Sequence, residues 1–148
     1  MADKAATDRI RFCHQHQPGS FPIYHHTGTL LKAHSKRVLL VDDNEINLRL
    51  ASELIALWGH DVTPANHGSK ALELFNRKSF DLVILDIQMP DIDGITLLQI
   101  MRNQKPDART LFVALTANVL NDEAGRLIEL GFDHFLGKPV EEDKFRSL

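Results

Sequence analysis

The sequence has few of the features that mark secreted, membrane-spanning or nucleic-acid-binding chains. Its one cysteine, Cys13, has no partner for an internal disulfide, which favours a reducing compartment such as the cytoplasm. No apolar run approaches the length of a membrane span, and residues 1–11 are too polar for a secretory signal. The formal net charge of −3 provides no basic surface for nucleic acid. We therefore expect a cytoplasmic chain that contacts neither nucleic acid nor membrane directly.

The composition is that of an ordinary domain, and the chain divides near residue 35. With 43% hydrophobic and 25% charged residues, a chain of 148 residues is long enough to bury a core. Residues 14–29 contain two prolines, two glycines and four histidines, without helical or strand periodicity and without a standard zinc-ligand spacing. We assign residues 1–35 to a linker or an unassigned N-terminal segment. Residues 36–148 form the predicted domain, with its last helix cut short.

Three short apolar runs predict strands that are buried on both faces. These runs are Val38–Val41, Phe80–Leu85 and Leu111–Leu115. Continuous apolar runs without alternation are typical of strands in a parallel sheet. Two weaker runs, residues 61–65 and 132–136, bring the number of predicted strands to five.

Helical patterns alternate with these strands. The first predicted helix, residues 45–58, has an apolar stripe that we expect to face the core: Ile46, Leu50, Leu54 and Leu57, widened by Ile55 and Trp58. Further helices are predicted over residues 69–76, 93–103, 121–130 and 141–148. Alternating strands and helices indicate βαβ units and an α/β fold. We predict a flavodoxin-like, doubly wound, five-stranded parallel sheet of order 2-1-3-4-5 with helices on both faces.

Polar side chains follow the ends of four predicted strands. Asp42 and Asp43 follow the first strand, Asp86 follows the third, Thr116 closes the fourth and Lys138 follows the fifth. In such a fold, the carboxyl ends of the strands meet at one edge of the sheet, beside the point where the strand order reverses. We therefore expect these five side chains to converge on one crevice.

The chemistry of this set points to phosphoryl transfer. Three carboxylates in one crevice repel one another, and a divalent cation relieves that repulsion. Mg²⁺ prefers oxygen ligands, commonly a few carboxylates together with water and phosphate oxygens. A carboxylate can act as the nucleophile and become an acyl phosphate, in a reaction that depends mainly on positioning and charge neutralisation. With Lys138 as a second positive charge, the crevice is suited to receive a phosphoryl group.

Four short segments carry this chemistry in order along the chain: Val41–Asn44, Leu85–Gly94, Leu115–Asn118 and Gly137–Pro139. Together they resemble the response-regulator receiver family of two-component signalling, whose fold is CheY-like. The resemblance covers about residues 36–145 and fills every hallmark position. It implies a phosphoacceptor domain that changes conformation when it is phosphorylated.

The resemblance also implies roles for the acidic residues and the lysine. Asp86 would be the phosphoacceptor. Mg²⁺ would be held by Asp43, Asp86 and the backbone carbonyl of Gln88, with Asp42 acting mostly through water. Lys138 would pair with Asp86 or with its phosphoryl group.

The remaining implied roles concern switching and hydrolysis. Thr116 and Phe135 would form a switch pair, in which the hydroxyl moves toward the phosphoryl group and the ring turns inward. Gln88 and Asn118 match positions that tune hydrolysis of the acyl phosphate. The Lys138–Pro139 peptide bond would be cis, which is uncommon even before proline.

Three segments resemble a particular branch of the family, the receivers of hybrid sensor histidine kinases: Asp42–Asn47, Asp86–Pro90 and Leu115–Asn118. This branch implies a phosphohistidine on a kinase core as donor and a histidine phosphotransfer domain as acceptor. The domain itself would be a phosphoacceptor rather than an enzyme, with self-phosphorylation and self-dephosphorylation as its own activities.

Three other classes of protein fit the sequence less well. A phosphatase of the haloacid-dehalogenase type needs a second carboxylate where this chain has Gln88. A flavin carrier of the flavodoxin type needs a hydroxyl-rich phosphate loop, whereas the loop after the first strand here is acidic. A phosphorylation-independent interaction module would not need the full set of acids together with Thr116 and Lys138, all of which are present.

Overall fold

The computed structural model describes residues 23–24 and 30–31 as backbone, and residues 34–148 apart from the side chain of Asn121. The chain divides into two compact units, Met1–His34 and Ser35–Leu148. In the first unit, strand β1 (Ile23–Tyr24) pairs antiparallel with β2 (Leu30–Leu31). The rest of the irregular segment predicted over residues 14–29 lies outside the described residues.

The second unit alternates strands and helices in the predicted order. The strands are β3 (Arg37–Val41), β4 (Asp61–Ala65), β5 (Leu82–Asp86), β6 (Leu111–Thr116) and β7 (His134–Gly137). The helices are α1 (Glu45–Leu57), α2 (Gly68–Arg77), α3 (Gly94–Gln104), α4 (Asn121–Glu129) and α5 (Glu142–Arg146). Within the described part of the chain, no helix is long and apolar enough to cross a membrane.

The five strands of this unit form one parallel sheet in the order β4-β3-β5-β6-β7. This is the predicted order 2-1-3-4-5, so the fold prediction is confirmed. The strand order reverses at β3, whose last residue, Val41, lies opposite Leu85. Asp42 and Asp86 are the next residues after this pair, so they lie side by side at the carboxyl edge of the sheet.

Helices cover both faces of the sheet, as predicted, and each face has its own core. On one face, α1 and α5 bury Leu48, Ile55 and Phe145 against alternate residues of the strands. On the other face, α2 and α3 bury Phe75 and Met101 against the remaining strand residues. Strands that are apolar on both faces explain the continuous hydrophobic runs in the sequence.

The predicted core face of α1 was right for Ile55 and Trp58 but wrong for the centre of the stripe. Leu48, Ala51 and Ile55 are the buried residues of this helix, whereas Ile46, Leu50 and Leu57 are 80%, 51% and 72% exposed. At about 100° per residue, the exposed residues lie on the side of the helix opposite Leu48 and Ile55. The apolar arc of α1 is wider than one sheet face can cover. The small side chain of Ala51 suits the face that packs closely against the strands, so this face is the buried one.

Candidate functional site

The carboxyl edge of the sheet brings together the side chains that the sequence analysis placed there. Asp42 follows β3, Asp86 ends β5, Thr116 ends β6 and Lys138 follows β7. Asp86 lies opposite Leu115 in the ladder, and Thr116 lies opposite Gly137. Parallel pairing therefore carries residues from distant parts of the chain to one level at one edge.

Lys138 joins the two buried carboxylates of this edge. Its Nζ lies 2.9 Å from Asp86 Oδ2 and 3.2 Å from Asp42 Oδ2. The side chains of Asp42 and Asp86 are only 2% and 4% exposed, and that of Lys138 is 23% exposed. One ammonium group therefore faces two carboxylates that water hardly reaches.

A third carboxylate completes an acidic cluster. Asp42, Asp43 and Asp86 each have a carboxylate oxygen within 4.8 Å of those of the other two, and Asp43 is exposed. The cluster contains only oxygen donors, which is the ligand type that Mg²⁺ prefers. One lysine does not balance three carboxylates, so the cluster also has the surplus negative charge that a divalent cation would neutralise. The residues present thus fit Mg²⁺ both in chemistry and in charge.

Burial and pairing shift the proton affinities of this site. Burial raises the pKa of Asp86, and the charge of Asp42 adds to that effect. Hydrogen bonds from Lys138 and from the backbone N–H of Gln88, 3.0 Å from Asp86 Oδ1, oppose it. Burial alone would lower the pKa of Lys138, but its bonds to Asp86 and Asp42 outweigh burial and raise it. Lys138 is therefore firmly charged, whereas Asp86 gains from any further positive charge.

Thr116 is buried beside this cluster, but its hydroxyl is engaged within its own loop. The hydroxyl accepts from the backbone N–H of Asn118 and donates to the Asn118 carbonyl, both at 3.1 Å. Gln88 and Asn118 have exposed side chains at the rim of the crevice. Phe135, on β7, is half-buried and packs against the core on the α2–α3 face. The Lys138–Pro139 peptide bond is cis, which is the geometry that the resemblance implied.

A groove that the sequence analysis missed adjoins the acidic cluster. Its volume is about 280 Å³, and it is lined by Asp42, Asn47, Leu50, Ala51, Leu54, Leu115, Lys138, Pro139 and Val140. The apolar side chains of α1 were assigned to the core, which concealed the groove. The one available signal was the width of the apolar arc of α1, which exceeds what a sheet face covers.

Comparison with known proteins identifies the class of protein to which this fold and site belong. Residues 38–148 match the response regulator receiver domain family. The chain belongs to this family, so it carries a receiver domain of the kind found in two-component systems. The resemblance stated from the sequence is confirmed, and this membership disfavours the phosphatase and flavin-carrier classes.

Two histidine kinases are similar to this chain in sequence. The signal transduction histidine-protein kinase BarA of Escherichia coli K12 is 31% identical over 137 residues, which are 93% of this chain and 14% of that protein. Hybrid signal transduction histidine kinase L of Dictyostelium discoideum is 32% identical over 118 residues, 76% of this chain and 7% of that protein. The chain therefore spans about one seventh or less of these two relatives.

A solved structure supports the same assignment. The receiver domain of the Francisella response regulator 1452 matches with a TM-score of 0.67 and 31% identity. The match covers 75% of this chain and 90% of that one. The matched part of this chain therefore corresponds to nearly the whole of that receiver domain.

Proposed function

We propose that residues 36–148 are the receiver unit of a cytoplasmic phosphorelay, in which Asp86 accepts a phosphoryl group from a phosphohistidine. The observation that carries this proposal is the position of the Asp86 carboxylate. It is buried at the end of a central strand, 2.9 Å from Lys138 Nζ and beside two further carboxylates. Asp43, Asp86 and the Gln88 carbonyl would hold Mg²⁺, with Asp42 acting mostly through water.

The proposed transfer step follows from this arrangement. A carboxylate oxygen of Asp86 attacks the phosphorus atom, the P–N bond to the donor imidazole breaks, and the imidazole leaves with the electron pair and takes up a proton. Lys138 stays within reach of the new acyl phosphate and offsets its charge. When bound, Mg²⁺ supplies additional charge neutralisation at the phosphoryl oxygens. Burial raises the pKa of Asp86, so positive charge nearby keeps the nucleophile ionised.

The same geometry supports a switch that responds to phosphorylation. Among the residues that the structure describes, the Thr116 hydroxyl bonds only to Asn118 of its own loop, and it can exchange those bonds for a phosphoryl oxygen. Phe135 lies on the neighbouring strand and is half-buried, so its ring is the aromatic side chain that would turn further inward. Such a charge event, acting on a loop with two arrangements, is a common form of switching. The exposed amides of Gln88 and Asn118 would orient the water that later hydrolyses the acyl phosphate.

The exposed side of α1 supports a helical partner that carries the phosphohistidine. Ile46, Leu50, Leu54 and Leu57 follow helical spacing, which is how one helix presents apolar residues to another. The groove beside Leu50 and Leu54 continues to Asp42 and Lys138. A helix seated on this stripe would therefore bring a phosphohistidine toward Asp86. A histidine kinase core and a histidine phosphotransfer domain are the proposed donor and acceptor, and a hybrid sensor kinase is the proposed parent protein.

Intact mass after incubation with Mg²⁺ and a small acyl phosphate tests the central proposal. We expect one phosphate adduct, which Asp86→Asn abolishes and the matched variant Asp81→Asn retains. Failure of the parent chain to form any adduct would favour the phosphorylation-independent module. Continuous turnover of a small phosphate ester would favour the phosphatase.

Trp58 contacts Phe145 of α5 and lies at the opposite end of α1 from Asp42, so its fluorescence reports on the packing of α5.

The partner surface has its own test. Leu50→Asp should slow phosphorylation by a phosphohistidine domain while leaving phosphorylation by a small acyl phosphate unchanged, because only the protein donor needs the stripe. Ala56→Asp, which adds the same charge at an exposed position of α1 outside the apolar stripe, is the control. Equal slowing with both donors would mean that Leu50 matters for the crevice itself and would contradict docking on α1.

A further inference from the structure

The loop between β5 and α3, residues 87–93, carries the backbone carbonyl of Gln88. A backbone ligand is placed only as well as the loop that carries it, and outer contacts of a metal site commonly tune affinity. The start of this loop is fixed by the hydrogen bond from the Gln88 N–H to Asp86 Oδ1. Its end is fixed where Gly94 packs so closely that a Cβ there would overlap the Asp86 carbonyl oxygen. The middle of the loop needs a separate support.

Asp91 supplies that support from the neighbouring helix. Its Oδ2 accepts from the backbone N–H of Gly68, the first residue of α2, at 3.1 Å. The next residue, Ile92, lies against Gly68 so tightly that a Cβ on the glycine would be 2.8 Å from the Ile92 Cβ. A carboxylate at the start of a helix is favoured by the helix dipole as well as by the hydrogen bond. The loop is therefore held against α2 through one hydrogen bond and one close contact.

Backbone hydrogen bonds favour the ionised form of the Asp91 carboxyl group. Its pKa is held below the ordinary value mainly by the backbone N–H of Ile92, and also by that of Gly68. Asp91 is exposed and does not belong to the acidic cluster. Its bond to Gly68 spans 23 residues of sequence. Since two residues separate Asp91 from Gln88, a shift of Asp91 would be passed to the Gln88 carbonyl.

We infer that Asp91 is a positioning residue, whose hydrogen bond to Gly68 sets the place of the Gln88 carbonyl and thereby the affinity of the acidic cluster for Mg²⁺. This inference rests on the proposed function, because it assumes that the cluster binds Mg²⁺ with the Gln88 carbonyl as a ligand. The oxygen acceptor should contribute more than the charge, because asparagine and aspartate serve about equally well as acceptors for backbone N–H groups at helix starts.

Titration calorimetry with Mg²⁺ alone, without a phosphodonor, tests this inference. Asp91→Ala removes the acceptor and should weaken Mg²⁺ binding by about tenfold, the scale of lost outer contacts at metal sites. Asp91→Asn removes the charge but retains an oxygen acceptor, so it should bind Mg²⁺ within about twofold of the parent chain, well short of such a loss. Amide hydrogen exchange at Gly68 should increase in the alanine variant only. These readouts separate positioning from a general loss of stability, which thermal unfolding without Mg²⁺ would report.

A second variant approaches the same contact from the other side. Gly68→Ala would push Ile92 away from α2 while placing a better helix former in the helix. It should weaken Mg²⁺ binding at temperatures well below its own unfolding midpoint, which thermal unfolding gives, because the Ile92 Cβ has to shift to make room. The inference is overturned if Asp91→Ala binds Mg²⁺ as the parent does, or if Asp91→Asn loses as much affinity as Asp91→Ala. If the parent chain itself binds no Mg²⁺, the metal part of the proposed function fails together with the inference.

Discussion

Strand β5 has an aspartate at each end, and the two differ in almost everything except their pairing with a cation. Asp81 comes just before the strand, and its carboxylate is bonded by Arg37 through two side-chain nitrogens, at 3.1 and 3.2 Å, and through the backbone N–H at 2.8 Å. The Asp81 side chain is 44% exposed. Asp86 ends the strand, is almost fully buried, and shares the single ammonium of Lys138 with Asp42.

The pKa values of the two aspartates are shifted in opposite directions by their surroundings. The hydrogen bonds from Arg37 lower the pKa of Asp81, whereas burial raises the pKa of Asp86 despite its lysine. A guanidinium that matches a carboxylate with two parallel bonds satisfies it and leaves no need for another charge. One ammonium facing a cluster of carboxylates leaves negative charge uncompensated. The proposed reactivity of Asp86 therefore rests on the surplus of carboxylates at a buried edge of the sheet, because a cationic partner is common to both aspartates.

The largest expected difference between the two aspartates is in phosphoryl acceptance. Asp86→Asn should lower incorporation from a small acyl phosphate by at least about 1,000-fold, because loss of a nucleophile removes the covalent step. Asp81→Asn should react at the parent rate. Rates of adduct formation by intact mass give both values, and circular dichroism checks that both variants fold. If Asp86→Asn were phosphorylated at the parent rate, the proposed functional difference between Asp86 and Asp81 would be contradicted.

The two cations should differ almost as strongly. Lys138→Ala should slow phosphorylation by about 100-fold, the usual effect of removing one preorganised charge from a transition state. Arg37→Ala removes the cation at the other end of the strand and should leave the rate within about twofold, since it has no place in that transition state. The measurement is the phosphorylation rate at saturating Mg²⁺. If both variants slowed equally, the effect would have to come from the sheet rather than from the crevice.

The effect of pH on stability should have opposite signs at the two ends. The pKa of Asp81 is lowered from 3.8, so this residue stabilises the fold above 3.8, and the contribution is lost as pH falls through its folded pKa. The pKa of Asp86 is raised from 3.8, so its cost appears as pH rises above 3.8 and is complete above its folded pKa. At neutral pH without Mg²⁺, Asp86→Asn should thus stabilise by on the order of 1 kcal/mol.

Asp81→Asn should instead destabilise at neutral pH, by less than about 1 kcal/mol, because exposed ion pairs are screened by water. Urea unfolding of the parent and both variants, as a function of pH and with a chelator present, gives the free energies. Two variants that shifted stability in the same direction at neutral pH would show that burial does not distinguish these aspartates.

Salt should produce the smallest difference. Raising ionic strength from about 0.1 M to about 1 M shortens the screening length from about 10 Å to about 3 Å. The destabilisation by Asp81→Asn should shrink over this range, whereas the effect of Asp86→Asn should persist, because water and ions hardly reach a buried carboxylate. Unfolding free energies at the two salt concentrations provide the comparison. A salt-sensitive effect at Asp86 would mean that the crevice is open to solvent.

The strand pattern made the fold and most of the crevice predictable. Continuous apolar runs that end on Asp42, Asp86 and Thr116 define parallel strands, and parallel strands bring such ends together. Lys138 could be placed in the same way. The bond between Asp91 and Gly68 could not be predicted, because it joins a loop to the first residue of α2, and their approach depends on how α2 and α3 pack. Likewise, nothing in the sequence indicated that the Thr116 hydroxyl would be bonded to Asn118.

Helix α1 shows a different limit of sequence patterns. Two apolar sets satisfy helical spacing in this segment, one around Ile46 and Leu50 and the other at Leu48 and Ile55. Periodicity alone does not decide between them, since each set contains an isoleucine and a leucine, and the predicted stripe was centred on the set that is exposed. The decision depended on the space beside β3 and β4, where a helix with Ala51 in its contact face fits. The set around Ile46 and Leu50, which is not buried, forms the exposed stripe beside the groove.

The most direct test of the central claim is to locate the phosphoryl group. Borohydride reduction of the phosphorylated chain converts an aspartyl phosphate to homoserine, and peptide mass spectrometry then identifies the position. We predict homoserine at position 86 and at none of positions 42, 43 and 81. No homoserine should form when Mg²⁺ is chelated during the phosphorylation. Homoserine at position 42 or 43 would contradict the assignment of Asp86 as the phosphoacceptor, and homoserine at position 86 that forms equally well without Mg²⁺ would contradict the role of the metal.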